Sequence, residues 1–497
     1  MTTETESLRH QATRGALWTF LQTGYVNVAT LVSMVVLARL LSPDEFGIVS
    51  LAAVFVTLVT LVTDLGLTPA LIRRRDPTDL QLNTAFWTSL LLSCVLAAAL
   101  ILSAPTIAAA LHEPRTGVVL AVLAVQIPVA SLRLVPLSTL TRQMRFKALA
   151  VRQVAATTIG TVGAIILAAA GQGVWALVFQ SMGGVAIDVA ILWWSVAWRP
   201  RLAFSLSESK ELLSFGLPAL ATQAVHLGRD NGVDLIVGAM LGTHALGVWT
   251  VATRIARTIL RLFATVLNTV ALPTFAHVQG DHDRLVRALR RAVRATAGIA
   301  VPGMIGLAAI SPTAITLVFG NRWSVSSQVA EVTAIMAAIT VVQWLDGNVW
   351  WALGRPGIEF NLTLAISLAH LLAAIVAAHY GGVMAVAWAL LARTLLSVPL
   401  RVLVLHRCGG IPLGVYADVP RLLACCLPMY AVVWLIAHRL SALPQVAVLG
   451  TEVVAGAGLY LAASWWLQRR ILTELGADVR TAVRRRRPDS PTPTGAR

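Results

Sequence analysis

Leu41–Ala52 reads LSPDEFGIVSLA, and the chain returns to the pattern at Leu241–Ala252 as LGTHALGVWTVA. Set against each other, Leu41, Gly47 and Ala52 fall on Leu241, Gly247 and Ala252, while Phe46 meets Leu246, Ile48 meets Val248 and Ser50 meets Thr250. Each copy is a short polar loop between two long apolar segments, and so a tight connection between two helices. Each also holds the same place in a run of hydrophobic segments. An internal repeat of this kind is a signature of secondary transporters built from two related halves. The expected fold is an all-α polytopic membrane protein: two bundles with a substrate path between them.

The composition around the repeat agrees. Of 497 residues, 57% are hydrophobic and 12% charged, and the mean hydropathy is +0.76. Too little polar surface is present to cover a soluble core. About fourteen apolar windows are long enough to span a bilayer as helices. They are predicted near 15–38, 46–66, 81–104, 116–137, 150–170 and 174–197, then 215–240, 247–270, 295–318, 326–353, 358–378 and 383–404, with a further pair at 418–438 and 446–467. This divides the chain into two pseudo-symmetric six-helix lobes, 1–197 and 215–404, joined by a cytoplasmic linker at 198–214. Two additional helices fill 405–468. The basic tail 469–497 ends in RRRRPDSPTPTGAR, whose composition predicts disorder. Arg9 and Arg14 precede the first span without a small-residue cleavage site, unlike a cleavable signal.

The net charge of +16 invites a nucleic-acid reading, but the basic residues alternate from loop to loop. Arg73–Arg75, Arg142, Arg145, Lys147, Arg199, Arg201, Lys210 and the arginines from Arg284 to Arg294 fall on one side of the spans. The opposite loops hold only Arg115, Arg322 and Arg439. Such a bias fixes membrane orientation, and it predicts cytoplasmic N- and C-termini. His277–Arg294 is predicted to be an amphipathic helix lying against anionic headgroups. Cys94, Cys408, Cys425 and Cys426 form no metal or disulfide pattern, no P-loop is present, and the external loops are short. No metal, cofactor, nucleotide hydrolysis or enzymatic domain is expected.

Ionisable groups inside spans are costly and by default face an interior or a water-filled cavity. In the seventh span, His226, Asp230 and Asp234 stack on one helical face beside Arg229 and Asn231. In the eighth, Arg254, Arg257, Arg261 and Asn268 form a stripe. Two readings compete. In one, Asp234 pairs with Arg254 and Asp230 with Arg257, and the charges only lock the hairpin. In the other, surplus positive charge at mid-membrane receives an anion, and arginine's planar fork suits phosphate. Elsewhere Gln22 and Asn27 in the first span, Arg133 in the fourth, Asp188 in the sixth and Asp346 in the tenth are polar. His370, alone in an apolar span, reads as a packing residue.

These motifs are similar to those of the Wzx-type lipid-linked oligosaccharide flippases, the polysaccharide transporters of the multidrug/oligosaccharidyl-lipid/polysaccharide exporter superfamily. The resemblance rests on ARLLSPDEFGIVSLA (38–52), LTRQMRFKALA (140–150), RDNGVDLIVGAMLGTHALGVW (229–249), VALPTFAHVQGD (270–281), FGNRW (319–323) and ALGRPG (352–357). The second copy departs from the usual acidic-aromatic loop, reading Thr243-His244-Ala245. The resemblance implies a flippase moving an undecaprenyl-diphosphate-linked oligosaccharide by alternating access. Arg229, Arg254, Arg257 and Arg261 would be candidates for the diphosphate, and Asp230, Asp234 or His226 for proton coupling. Gln22, Asn27, Asn231, Asn268 and Asp346 would be polar cavity residues. Its partners would be membrane lipids and a polysaccharide polymerase or export machinery, with no nucleic acid. The alternatives are a lipid II flippase, a multidrug/cation antiporter, a membrane glycan polymerase or ligase, and a non-transporting scaffold.

Overall fold

The computed structural model describes the backbone of residues 2–74, 76–277, 281–440 and 443–484, and the side chains of these except 2–14, 16, 212–213, 215–219, 221–222, 261–262, 264–277 and 466–484. The end of the tail, expected to be disordered, lies outside the described residues. Among the described residues every regular element is helical, and 13 helical runs are long and apolar enough to cross a bilayer. One of them, Gln223–Leu260, has 38 residues. A straight helix of that length is nearly twice as long as a bilayer core is thick. It is interrupted at Gly242, whose φ of 87° and ψ of 174° lie in a region only glycine adopts readily. The run therefore holds both the seventh and the eighth expected spans.

The chain forms two compact units. The first is Met1–Thr258, Val318–Ala330 and Gly357–Arg393; the second is Ile259–Leu317, Glu331–Pro356 and Thr394–Arg497.

In the first unit the initial helix, Thr2–Leu40, gives way after two residues to the helix Pro43–Asp64. A capping box makes this turn possible. The Ser42 backbone N–H donates to Glu45 Oε2 at 2.7 Å, and the Glu45 N–H donates to Ser42 Oγ. The repeated segments then pack against each other. A Cβ on Gly47 would lie 1.8 Å from the Thr243 carbonyl oxygen, and one on Gly247 would lie 1.8 Å from the Pro43 carbonyl oxygen. Position 43 answers 243 and 47 answers 247, so the contact is reciprocal, as across a local two-fold axis. Asp44 and His244, which also answer each other, meet at 3.2 Å. The segment 318–326 clasps the first copy. Trp323, fully buried, donates from Nε1 to Ala38 O at 2.9 Å and packs edge-on to Phe46. Arg322 donates to Leu41 O and Arg39 O, Arg39 to Val318 O, and Ser326 to Val248 O.

The fourth expected span is not one helix. It is Pro114–Ala124, Gln126–Ser131 and Leu134–Arg142. Pro128 and Pro136 remove two backbone donors, and Leu132 and Arg133 bond instead to Val129 O and Ala130 O three residues back. The linker is anchored: Trp87 donates to Arg201 O, the Arg201 N–H to Asn83 Oδ1 at 2.6 Å, and the Ser205 N–H to Thr84 Oγ1. Arg74 pairs with Glu208 and Glu211.

In the second unit, the stretch expected to lie on the headgroups is instead the start of the long helix His282–Phe319. Leu285, Leu289 and Val293 are buried, and their spacing of four continues through Ala297 and Val301 into the span. No proline falls in the helix before Pro302, and the buried stripe runs on unbroken, so it turns into protein rather than lipid. Arg294 pairs with buried Asp418 at 2.7 Å, and Arg290 approaches the same carboxylate at 3.9 Å. Further acids lie inside this unit, Asp346 and Glu452 buried and Glu331 half-buried. Glu331 accepts from Tyr430, Glu452 from Thr313 at 2.8 Å, and Asp346 from Tyr416 with Arg401 at 3.9 Å.

Two stability tests follow in the first unit. Trp323→Ala should lose roughly 3–5 kcal/mol and lower the thermal midpoint of the detergent-solubilised protein clearly more than Trp323→Phe. Arg152 and Asp188 form a buried pair at 3.1 Å with side chains 9% exposed. Arg152→Met should cost about 3–5 kcal/mol by stranding the carboxylate, while Arg152→Met/Asp188→Leu should recover most of that loss in the same melting assay.

Candidate functional site

The charged hairpin on either side of Gly242 shows how sequence positions become a site. Arg257 reaches both carboxylate oxygens of Asp234, at 3.1 and 3.3 Å, and Trp249 Nε1 donates to the same Asp234 at 2.9 Å. Arg229 pairs with its neighbour Asp230 at 2.8 Å. Neither pair expected from counting depth is the one formed. Helical side chains lean toward their own N-terminus. On antiparallel helices Arg257 therefore leans back toward the turn while Asp234 leans away from it, and the two meet one helical turn out of register. Asn231 spends its amide on Leu227 O at 2.9 Å, within its own helix.

Arg254, one turn before Arg257, does something different. It lines a cavity of about 410 Å³ whose other walls come from the first, second, fourth, fifth and sixth spans. The lining is rich in hydroxyl and amide groups, including Thr30, Ser33, Ser50, Thr157, Thr161, Gln153, Gln180 and Ser181. Arg133 and Asp188 complete it. The break in the fourth span brings Arg133 there, and discontinuous helices of this kind commonly build transporter sites. Asp188 is held by Arg152, whose NH2 also donates to Gln153 Oε1 at 3.2 Å. Gln180 donates to Ser33 Oγ, and Ser181 to Gln126 Oε1. Beside the Asp188–Arg152 pair, Arg133 and Arg254 bring two further guanidinium groups to the walls. Chemically, two guanidinium groups among neutral donors and acceptors suit an anionic, hydroxylated solute.

The cavity thus gathers only some of the residues the sequence singled out. Arg254 is in it; Arg229, Arg257, Asp230 and Asp234 are tied up in the hairpin pairs. His226 is exposed, and Gln22 and Asn27 are half-buried on the first helix. Asp346 is 2% exposed and enclosed by Tyr416 and Arg401 in the second unit. The side chains of Arg261 and Asn268 lie outside the described residues. Arg152 was missed: it stands two residues inside the predicted fifth span, and the charged Asp188 in the next span was the usable signal for it. His370 does not pack alone, because Arg393 reaches its Nδ1.

Comparison with known proteins places this geometry. The family model described as "Polysaccharide biosynthesis protein" matches residues 36–328, more than half of the chain. The succinoglycan biosynthesis transport protein ExoT of Rhizobium meliloti is 27% identical over 69% of this chain and 72% of its own. The teichuronic acid biosynthesis protein TuaB of Bacillus subtilis is 26% identical over 77% and 80%, and the lipopolysaccharide biosynthesis protein WzxC of Escherichia coli 22% over 76% and 78%. Among solved structures, the lipid II flippase MurJ in an inward closed conformation superposes with a TM-score of 0.73 at 16% identity, covering 92% of this chain and all of that one. An inward-facing multidrug resistance MATE transporter gives 0.59 at 17% identity over 76% of this chain and 92% of that one. The fold is thus that of MurJ and MATE, and this multi-pass membrane chain belongs to the polysaccharide biosynthesis protein family, the Wzx-type group its motifs resemble.

Proposed function

We propose that the chain is a flippase of the secondary-transporter type, moving a polyprenyl-diphosphate-linked oligosaccharide across the bacterial cytoplasmic membrane. The observation that carries this reading is the hydroxyl- and amide-lined cavity with Arg133 and Arg254 in its walls. Relatives named for succinoglycan, teichuronic acid and lipopolysaccharide biosynthesis support a glycan cargo, and the MurJ-like fold supports a transport scaffold.

In this reading the diphosphate is held by Arg254 and Arg133, with Arg229, Arg257 and Arg261 as further candidates along the same hairpin. Hydroxyl and amide groups of the cavity wall meet the sugars, and the polyprenyl chain stays in lipid. Two six-helix lobes, 1–197 and 215–404, alternate access to the cavity, and the helices of 405–468 stand outside this repeat. Both termini then lie in the cytoplasm, a reading that the loop-charge bias supports. Asp230, paired with Arg229 yet 49% exposed on its side chain, is the carboxylate placed to couple transport to protons. Asp234 is 17% exposed and already holds Arg257 and Trp249, so its role is to shape the hairpin. The product would be delivered to a polymerase or export machinery on the outer face.

Replacing Arg133 and Arg254 together by Gln removes two charge-assisted contacts, each worth about 1.5–3 kcal/mol. Transport should fall at least about a hundredfold while membrane levels and melting stay near those of the parent. Mass spectrometry of polyprenyl-linked glycans from spheroplasts should then show one diphosphate-linked oligosaccharide accumulating on the cytoplasmic side. Unchanged lipid-linked glycans would overturn the assignment. Asp230→Asn should flatten the dependence of transport on the proton gradient in proteoliposomes, and Asp230→Glu should preserve it; a gradient response intact in Asp230→Asn removes Asp230 from the coupling role.

A further inference from the structure

Hydroxyl groups inside the spans are of two kinds. Thr60 donates to Val56 O, Thr88 to Thr84 O, Thr158 to Val154 O and Thr253 to Trp249 O, each to the carbonyl four residues back. A hydroxyl in an apolar helix ordinarily finds its partner in this way. Thr30, Ser50, Thr157 and Thr161 line the polar cavity instead, and none of them hydrogen-bonds to any described residue. None of the four oxygens is sealed in the interior. The contrast is sharpest on the helix Phe146–Ala169. Gln153, Thr157 and Thr161 follow one another at a spacing of four and present one face to the cavity. Thr158, one position on, turns to Val154 O and the Tyr25 hydroxyl. Gln180 donates its amide to Ser33 Oγ and keeps its carbonyl oxygen for a further donor.

These groups also share a depth. The turns at 41–42, 170–173 and Gly242 lie together, with Gly173 against Glu45 and Gly47 against Thr243. Distance from them can be counted at about 1.5 Å of rise per residue. Leu37, Phe46 and Leu177, all apolar, are nearest, about 5 Å from the turns. Ser50, Thr161 and Gln180 follow at about 9–12 Å, and Thr30 and Thr157 at about 15–18 Å. Arg254 borders this ring at about 17 Å. Asp188 lies deeper, at about 21 Å, with Arg152 on it and Arg133 close enough to act electrostatically on both. The cavity is thus graded along its length: apolar, then neutral and hydrogen-bonding, then charged.

We propose that Thr30, Ser50, Thr157, Thr161 and Gln180 form a subsite for one uncharged sugar, the ring attached directly to the diphosphate, and select it against an acidic sugar. The proposal rests on the flippase reading, which puts the diphosphate on Arg254 and Arg133 and so fixes where that sugar lies. A hydroxyl side chain both donates and accepts, as does each hydroxyl of a sugar. Four such groups and an amide oxygen can therefore pair with a ring from several sides. A uronic acid brings a carboxylate into the same neutral surroundings. The described lining holds two guanidinium groups, Arg133 and Arg254, and the diphosphate takes both, while Asp188 adds a negative charge at that end. The carboxylate then loses water without gaining a cation, a far larger cost than that of an unpaired hydroxyl. At about 410 Å³ the cavity is at the small end of ligand pockets, which run from about 300 to about 1,000 Å³. It suits one sugar with its diphosphate, not a whole repeat unit.

The test measures equilibrium binding to the purified full chain in nanodiscs, by calorimetry. The probes are farnesyl diphosphate and farnesyl-diphosphate-linked glucose, galactose and glucuronic acid. The better neutral probe should bind at least about tenfold tighter than farnesyl diphosphate, and at least about tenfold tighter than the glucuronic acid probe. Thr157→Val/Thr161→Val keeps the shape of both side chains and removes both hydroxyls. It should bring the neutral probes to within about threefold of farnesyl diphosphate, with farnesyl diphosphate itself binding as in the parent. Arg133→Gln/Arg254→Gln should weaken all the probes together. Glucuronic acid bound as tightly as the neutral sugars, or a Thr157→Val/Thr161→Val protein that keeps its sugar preference, overturns the subsite. If the valine variant does not fold, the comparison of probes in the parent decides. No readout needs transport, so sugar-selective binding with unchanged lipid-linked glycans in cells retains the subsite and rejects the flippase assignment. Accumulated lipid-linked glycans with no sugar preference in binding do the reverse.

Discussion

Two glycines without side chains let two helical hairpins meet backbone to backbone, and much of the first unit is arranged around that approach. A methyl group at Gly47 or Gly247 would overlap a carbonyl oxygen at 1.8 Å. Everything nearby serves to hold the approach in place. Ser42 and Glu45 start the helix immediately after the turn, Gly242 breaks the helix where the second turn must occur, and Trp323 fills the space behind Phe46. Because the same positions meet reciprocally, one short segment written twice supplies both faces of the contact, as in a two-fold interface between subunits.

The second organising constraint is the cost of charge in an apolar interior. The structure meets it in two ways. Asp234 with Arg257, Asp188 with Arg152, and Asp418 with Arg294 are closed pairs, and Asp234 also accepts from Trp249 while Arg290 approaches Asp418. Arg133 and Arg254, by contrast, are set in the wall of a polar cavity among hydroxyls and amides. In the second unit, acids meet phenol and hydroxyl donors, as Glu331 meets Tyr430 and Glu452 meets Thr313. Neutral donors meet such groups without bringing a second charge into the interior.

Much of this was legible from the chain alone. Hydropathy periodicity gave the membrane class and the number of spans, because a span must be both long and apolar. The repeat marked the two hairpins that meet, and FGNRW, picked out as a family motif, is the clasp behind one of them. The failures have common causes. The fourth span was read through Pro128 and Pro136 because hydropathy is blind to missing N–H donors. The basic stretch after His277 was assigned to the membrane surface because its arginines drew attention from a leucine stripe that continues unbroken into the span. Arg152 was passed over because its position near a span end hid its partner, Asp188, on a different helix.

The sequence by itself determined what kind of molecule this is: helical, multi-pass, internally repeated, and charged at a few costly positions. Those properties follow from local composition and spacing, which act within one helix or one turn. Which charges neutralise each other, and which face a cavity, was decided only by tertiary structure. An arginine side chain spans more than a helical turn, and a lean toward the N-terminus moves its charge away from its backbone level. Arg254 and Arg257 are three positions apart in one stripe, yet one lines the cavity and the other is locked to Asp234. The packing of several helices, not the stripe, separates them.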